Sequence, residues 1–325
     1  MLETNWTDSP AAAGKDKLTP SRCRRKLAAD KRMNSIPDFR RFYARYVVGN
    51  STKPNERLIA TFAAVEREHY AGPGPWKIST HFAGYLDTVS DDPRHLYQDV
   101  LIGLIPERHI NNGQPSLHAR CLAAGNSQSG ETVVHIGAGT GYYTAILAEL
   151  VGAGGKVMAY EIEPELADRA RRNLSHLPNV QVIGVSGCAA TLPPADFIYV
   201  NASTPQPLPV WLGALKPGGR LMFPLTPNKG VGCMLLVSRL GETKYAATAV
   251  SGAAFIPLVG GGDDTMSETL AAVLKKSSVA LVKSLRRNSQ PDASAWCGAT
   301  AGGFPPANPL TKRFMTGISR GNVPA

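Results

Sequence analysis

The chain has 325 residues, of which 43% are hydrophobic and 18% charged, the balance of a folded protein rather than a disordered one. Its 35 Lys and Arg outnumber 25 Asp and Glu, a net charge of +10. No apolar run approaches roughly eighteen residues, which excludes a membrane-spanning helix, and the N-terminal stretch has no apolar secretory segment. The five cysteines (Cys23, Cys121, Cys188, Cys233, Cys297) are scattered without a CxxC, so neither a disulfide framework nor a zinc site is indicated. A reducing cytoplasm is the expected setting.

Much of the basic excess sits early. Residues 1–32 hold eight basic side chains against four acidic ones and show no hydrophobic period. We read 1–50 as a basic, disordered leader, with Met33 a second candidate start. From Ser51 the pattern is helical: Pro54-Asn55-Glu56 opens a segment whose Leu58, Ile59, Phe62 and Val65 share one face. Ala71-Gly72-Pro73-Gly74-Pro75 breaks it. Residues 76–115 are turn-rich, and a loop of this length in a compact domain is expected to be a functional cover.

After Pro115, strands and helices alternate. Glu131–Ile136 predicts a strand that enters Gly137-Ala138-Gly139-Thr140-Gly141, and Tyr142–Val151 a helix. Lys156–Tyr160 is the next strand, and Pro164 opens a helix reaching Leu174. Val180–Val185 and Asp196–Val200 are further strands, followed by a short helix, Pro209–Leu215. The turn Lys216-Pro217-Gly218-Gly219 precedes the strand Arg220–Pro224, and Val231–Leu240 with Lys244–Leu258 reads as a closing hairpin. This alternation predicts an α/β, Rossmann-like, doubly wound and mostly parallel seven-stranded sheet with an antiparallel hairpin, occupying 51–262 with its N-terminal helical cover. Thr269–Lys283 is a candidate helix, but 263–325 as a whole reads as a weakly structured extension.

The chemistry centres on the glycine loop. Glycines at a strand-to-helix turn let backbone approach a ligand at conformations a Cβ forbids. The spacing is GxGxG, and position 142, where a dinucleotide fingerprint has its third glycine, is tyrosine. That favours a ligand without a pyrophosphate, S-adenosylmethionine, over NAD. The following strand ends in Glu161, placed to accept both ribose hydroxyls. Glu161, Ile162, Ser186, Gly187 and Asn201 all fall at strand ends, where open α/β sheets bind ligands. His69, His81, His95 and His109 lack metal-ligand spacing, so no metal is expected.

The stretch from about Asn111 to Leu258 resembles the protein-L-isoaspartate O-methyltransferase family of class I methyltransferases. The matching text runs HIGAGTGYYTAILAELVGAGGKVMAYEIEPELADRARRNL, ADFIYVNASTPQPLPVWLGALKPGGRLMFPL and AAFIPL, preceded by Gly113-Gln114-Pro115. The resemblance implies S-adenosylmethionine as cofactor and carboxyl methylation of isoaspartyl residues in proteins or peptides. By position it implies that Gly113, Gln114 and His118 serve the reaction. It assigns Gly137, Gly139 and Gly141 to the methionine portion, Glu161 to the ribose and Ser186-Gly187 to the adenine, with Ala138, Thr140, Tyr142, Ile162 and Asn201 completing the cofactor site.

Three positions depart from the family pattern: Gly113 where a serine is usual, His135 where an acid precedes the glycine loop, and Ser186 where the adenine meets an aspartate. Restoring the hydroxyl by Gly113→Ser is expected to raise activity if Gly113 lies at negative φ. A carboxylate acceptor is already ionised, so the chemistry needs alignment rather than a general base. Two other readings fit the same fold: a methyltransferase acting on RNA or a small molecule, with Tyr85, Tyr97, Arg94 and Arg108 as a candidate platform, and a module that binds cofactor or peptide without turnover.

Overall fold

A computed structural model of the chain describes residues 35–51, 55–80, 83–188, 190–261, 263–279, 282–287, 295–298 and 316–320. Residues 1–34 lie outside the described residues. The leader expected over 1–50 nevertheless needs correction, because Ile36–Gly49 forms α1. Ser35 and Asp38 close its first turn as a capping box, and Tyr43, Ala44, Val47 and Val48 are buried at helix spacing. The interleaved Arg40, Arg41 and Arg45 mask that stripe in the sequence. Arg40 is itself buried, donating to Tyr97 Oη at 3.0 Å and to Glu66 at 2.9 Å.

Asn55 caps α2 (Glu56–Ala64) by accepting the Leu58 N–H at 2.6 Å, and α3 (Arg67–Ala71) follows. The cover expected to be irregular contains two short hairpins. They are β1 (Lys77–Thr80) with β2 (Gly84–Asp87), and β3 (Gly103–Ile105) with β4 (Ile110–Asn111). The fully buried Arg67 ties this cover down by donating to the carbonyls of Leu96, Gln98 and Val100.

The alternating part comprises α4 (Pro115–Gly125), β5 (Thr132–Ile136), α5 (Tyr142–Val151), β6 (Lys156–Tyr160), α6 (Pro164–Asn173), β7 (Val180–Ile183) and β8 (Ala195–Val200). It continues through α7 (Pro209–Ala214), β9 (Leu215–Leu225), β10 (Gly232–Arg239) and β11 (Lys244–Ala253). The chain returns through α8 (Asp264–Lys276), β12 (Val282–Arg287), β13 (Ala295–Gly298) and β14 (Thr316–Arg320).

All strands from β5 onward form one sheet, in the order β13-β14-β12-β11-β10-β9-β8-β5-β6-β7. The five strands β7, β6, β5, β8 and β9 are parallel, and β10–β11 is the antiparallel hairpin beside them. The seven expected strands are therefore present, and three more from the C-terminal stretch lengthen the sheet. The expectation of a weakly structured 263–325 needs correction for its described residues, where α8 buries Met266 and Leu270 and β12 pairs with β11; 288–294, 299–315 and 321–325 lie outside the described residues. The helix also ends at Lys276 rather than Lys283, turned out at Ser277.

Alternation along the strands builds two cores. Val133, Phe197, Tyr199, Met222 and Met234 face α1, α2, α4 and α5, while Val134, Ile198, Leu221, Phe223 and Leu235 face α7 and α8. The LKPGG turn appears as a bulge inside β9: Leu215 pairs with Ala195 and Arg220 with Phe197, leaving Lys216–Gly219 out of register. Among the described residues, no helix is long and apolar enough to cross a membrane.

Candidate active site

A cavity of about 720 Å³ opens at the carboxyl ends of β5, β6 and β8, roofed by the loop before α4 and walled on the far side by residues 252–259. A second hollow of about 570 Å³ lies at the amino ends of β6 and β7, around Lys156 and Val180, away from every candidate residue.

The floor of the first cavity is the glycine loop. Gly137, Gly139 and Gly141 have φ of +76°, +58° and +100°, the left-handed region that favours glycine. Space reinforces the choice at Gly141, where a Cβ would lie 2.7 Å from Leu174. The loop is pinned to the end of β6. Gly137 and Ala138 donate to the Tyr160 carbonyl, and Gly139 donates to Glu161 Oε2 at 2.6 Å. The other Glu161 oxygen accepts the Glu163 N–H at 3.0 Å. Burial pushes the Glu161 carboxyl above its ordinary value, and these backbone donors oppose that rise. Each carboxylate oxygen still has a lone pair for a ligand hydroxyl.

Gly187 and Ile162 lie on the rim beside Ser186. A Cβ at Gly187 would stand 2.7 Å from Ile136, so the chain passes this strand end only as glycine. Ser186 Oγ meets Cys188 Sγ at 2.9 Å, and the Cys188 thiol donates to the Val259 carbonyl, joining two walls of the cavity. Arg108 and Glu163 form a two-pronged ion pair across the mouth, with both N···O distances 2.6 Å.

Two predicted residues, and His135 at the departure before the glycine loop, take places the sequence did not reveal. Tyr142 borders the cavity, but its ring is buried against Phe62 and Tyr70 and its phenol meets Tyr43 at 3.4 Å. It serves as much to seat the N-terminal helices as to wall the site. Gln114 is exposed, and its amide already donates to Asp99 Oδ2 at 3.0 Å. Asp99 also caps α4 through Ser116 N at 2.8 Å and Ser116 Oγ at 2.6 Å. His135 is fully buried and points into the helical core, stacked on Tyr199 and bonded to Thr144 Oγ1 at 2.8 Å. Burial drives its imidazole down to about 3, so it is neutral. It reaches the cavity only through Asn201, whose amide nitrogen lies 2.8 Å from Nε2 and whose Oδ1 has no partner among the described residues.

The loop before α4 is set by Gly113. Its φ is +75°, and a Cβ there would overlap His118 Nε2 and stand 2.8 Å from Cδ2. The condition for a beneficial Gly113→Ser is therefore not met. His118 is buried, stacked on Tyr143 with centroids 3.7 Å apart, and its Nδ1 lies 2.6 Å from Tyr199 Oη. Burial holds this imidazole well below its usual range as well. The sequence did not reveal Tyr143, which borders the cavity, nor Tyr199, Thr144 and Asp99, which stand behind it and bond to His118, His135 and Gln114. Only Tyr143, adjacent to Tyr142 at the start of α5, carried any local signal. No cluster of three His, Cys, Asp or Glu suited to a metal occurs among the described residues.

A parallel sheet with a left-handed glycine loop, a buried acid at the tip of the next strand and a cavity above both defines a nucleoside-cofactor-binding α/β protein of the methyltransferase class. Within that class the chain belongs to one family: residues 50–263 match the model for protein-L-isoaspartate(D-aspartate) O-methyltransferase (PCMT). Among curated relatives, protein-L-isoaspartate O-methyltransferase of Aeropyrum pernix is 33% identical over 189 residues, covering 54% of this chain and 72% of that one. Protein-L-isoaspartate O-methyltransferase 1 of Archaeoglobus fulgidus is 37% identical, covering 52% and 82%. The fold is shared with a solved protein-L-isoaspartate O-methyltransferase at TM-score 0.55 and 20% identity, over 72% of this chain and 69% of that one. It is also shared with a beta-aspartate methyltransferase from Plasmodium falciparum in complex with S-adenosyl-L-homocysteine, at TM-score 0.54 and 15% identity, over 67% and 97%.

Proposed function

We propose that this chain is an S-adenosylmethionine-dependent methyltransferase that esterifies the carboxylate of isoaspartyl residues in proteins or peptides. The observation that carries the reading is the buried Glu161 carboxylate, which closes the glycine loop at the floor of the cavity in a chain of this family.

The residues present fit the cofactor. Glu161 would accept from the ribose hydroxyls, and Ile162, Ser186 and Gly187 would flank the adenine. Gly137, Ala138, Gly139, Thr140 and Gly141 leave the floor free of side-chain bulk for the methionine portion, where the orphaned Asn201 Oδ1 is an acceptor for an ammonium. When bound, the cofactor supplies a sulfonium-activated methyl group. The chain's own residues bind and align; they need not remove a proton, because a carboxylate acceptor is ionised at neutral pH. Both histidines near the cavity are held neutral by burial, which suits them to hydrogen bonding rather than to charge. A protein or peptide partner in the cytoplasm fits this chemistry better than RNA, since Arg108 at the mouth is neutralised by Glu163, Tyr97 is buried against Arg40, and the rim exposes Ile162, Val185, Ile256 and Val259.

The test is transfer of labelled methyl to a peptide containing one isoaspartate, beside its aspartate counterpart and total RNA, with titrations of S-adenosylhomocysteine and NAD. Labelling of the isoaspartyl peptide alone, in a chain that binds S-adenosylhomocysteine and not NAD, is the expected result. Labelling of RNA alone would move the assignment to the second class, and binding without any transfer to the third.

A further inference from the structure

His118 carries an anomaly. Its Nε2 is buried and has no hydrogen-bond partner among the described residues, although the ring borders the cavity. Proteins rarely leave such an atom unpaired unless a ligand completes it. The atom lies in the volume that a side chain at position 113 would fill, and position 113 is the one place in the loop without a side chain.

The neighbours of the ring decide which nitrogen carries the proton. Tyr199 Oη lies 2.6 Å from Nδ1, and the Cys121 thiol is the rival acceptor for its O–H. A thiol is a poor acceptor and an imidazole nitrogen a good one. The strongest bond therefore runs from Tyr199 O–H to Nδ1. Nδ1 is then the acceptor, and the proton of the neutral ring sits on Nε2. The face-to-face contact with Tyr143, with ring planes 11° apart, fixes the direction in which that N–H points.

We propose that His118 Nε2–H is the hydrogen-bond donor that holds the acceptor carboxylate in this chain, oriented by Tyr199 and given room by Gly113. The proposal rests on the carboxyl-methylation reading above. One carboxylate oxygen accepts from Nε2–H while the other attacks the methyl carbon; the C–O bond forms as the C–S bond breaks, the electron pair stays on sulfur, and no proton moves. His118 keeps its proton throughout. The Gly113 peptide covers Nε2, so the acceptor reaches it when that peptide turns, a rotation that glycine permits and a side chain would block. Tyr199 is a positioning residue, acting through the ring.

The experiment compares the unaltered chain with His118→Leu, His118→Gln and Tyr199→Phe in the isoaspartyl-peptide assay, with S-adenosylhomocysteine affinity measured for each. His118→Leu should lower kcat/KM for the peptide roughly ten- to a hundred-fold, the range for a hydrogen bond to a charged group, and leave S-adenosylhomocysteine binding unchanged. His118→Gln, which can present an N–H at nearly the same place, should recover part of the loss. Tyr199→Phe keeps the packing and stands in if the His118 variants do not fold. It should lower kcat/KM and, in ¹⁵N spectra of labelled histidine, move His118 from a single Nε2-protonated form to a mixture. Full peptide activity in His118→Leu, an equal loss of S-adenosylhomocysteine affinity, or a ring protonated on Nδ1 in the unaltered chain would overturn the proposal while leaving the activity standing. Absence of transfer by the unaltered chain would overturn both.

Discussion

Replacing Gly113 by serine sets the family resemblance against the geometry. The family pattern has a hydroxyl at this position, so the substitution reads as a restoration; the structure makes it a collision. At φ +75° a residue with a Cβ loses about 1–2 kcal/mol relative to glycine. The new Cβ would also overlap His118 Nε2, and the ring has little room to retreat, being stacked on Tyr143 at 3.7 Å and bonded to Tyr199 at 2.6 Å. Overpacking of that kind costs about 1–3 kcal/mol. The total, about 2–5 kcal/mol, corresponds to a fall in Tm of roughly 5–15 °C for a domain of this size. Thermal unfolding followed by circular dichroism measures it, with methyl transfer assayed on the same samples. Gly113→Ala carries the same Cβ and should lose as much, showing that the atom and not the hydroxyl is at fault. In Gly113→Ser/His118→Ala the ring is gone, so the double substitution should cost less than the sum of the two single ones. A Gly113→Ser chain as stable as its parent and more active would refute the reasoning.

Glu161→Ala should weaken S-adenosylhomocysteine binding by about 1.5–3 kcal/mol in calorimetric titration, because the ribose acceptor and the anchor of Gly139 are lost together. Glu163→Ala should change it little, since Glu163 pairs with the solvent-exposed Arg108 at the mouth; equal losses would show the strand tip to be misplaced. Acid should destabilise the fold through its buried imidazoles. His135 titrates near 3 in the folded chain against about 6.5 unfolded, so the unfolded chain binds its proton first. Its contribution is full above about pH 6.5 and is lost as pH falls toward 3, up to about 5 kcal/mol over that window, and His118 is displaced in the same direction. Urea unfolding at pH 7 and pH 5 checks this, and equal midpoints would refute it. Truncation to Met33 should leave stability within about 0.5 kcal/mol, whereas truncation to Ser51 removes the buried Tyr43, Val47 and Val48, each worth about 1.5–3 kcal/mol, and should abolish cooperative unfolding.

What the sequence determined by itself is local in origin. The apolar period of β5, β6 and β8, the first-turn prolines of α4 and α6, the GxGxG loop and the acid at the end of β6 are each written in a few consecutive residues. Together they define the parallel sheet, its helices and the floor of the cavity. The tertiary structure decided the rest, because the deciding contacts join residues far apart in the chain. Helix α1 is amphipathic only in relation to α2 and α4; read alone, its arginines make it look like part of a basic leader. The C-terminal strands have little pattern of their own and gain their place by pairing with the exposed edge of β11. Tyr142 reads as a cofactor residue until Tyr43, ninety-nine positions away, is seen against its phenol. Gly113 reads as a lost serine until its φ and the imidazole occupying the side-chain volume are known. That imidazole takes its orientation from Tyr199, eighty-one positions along the chain, and no local pattern brings the two together.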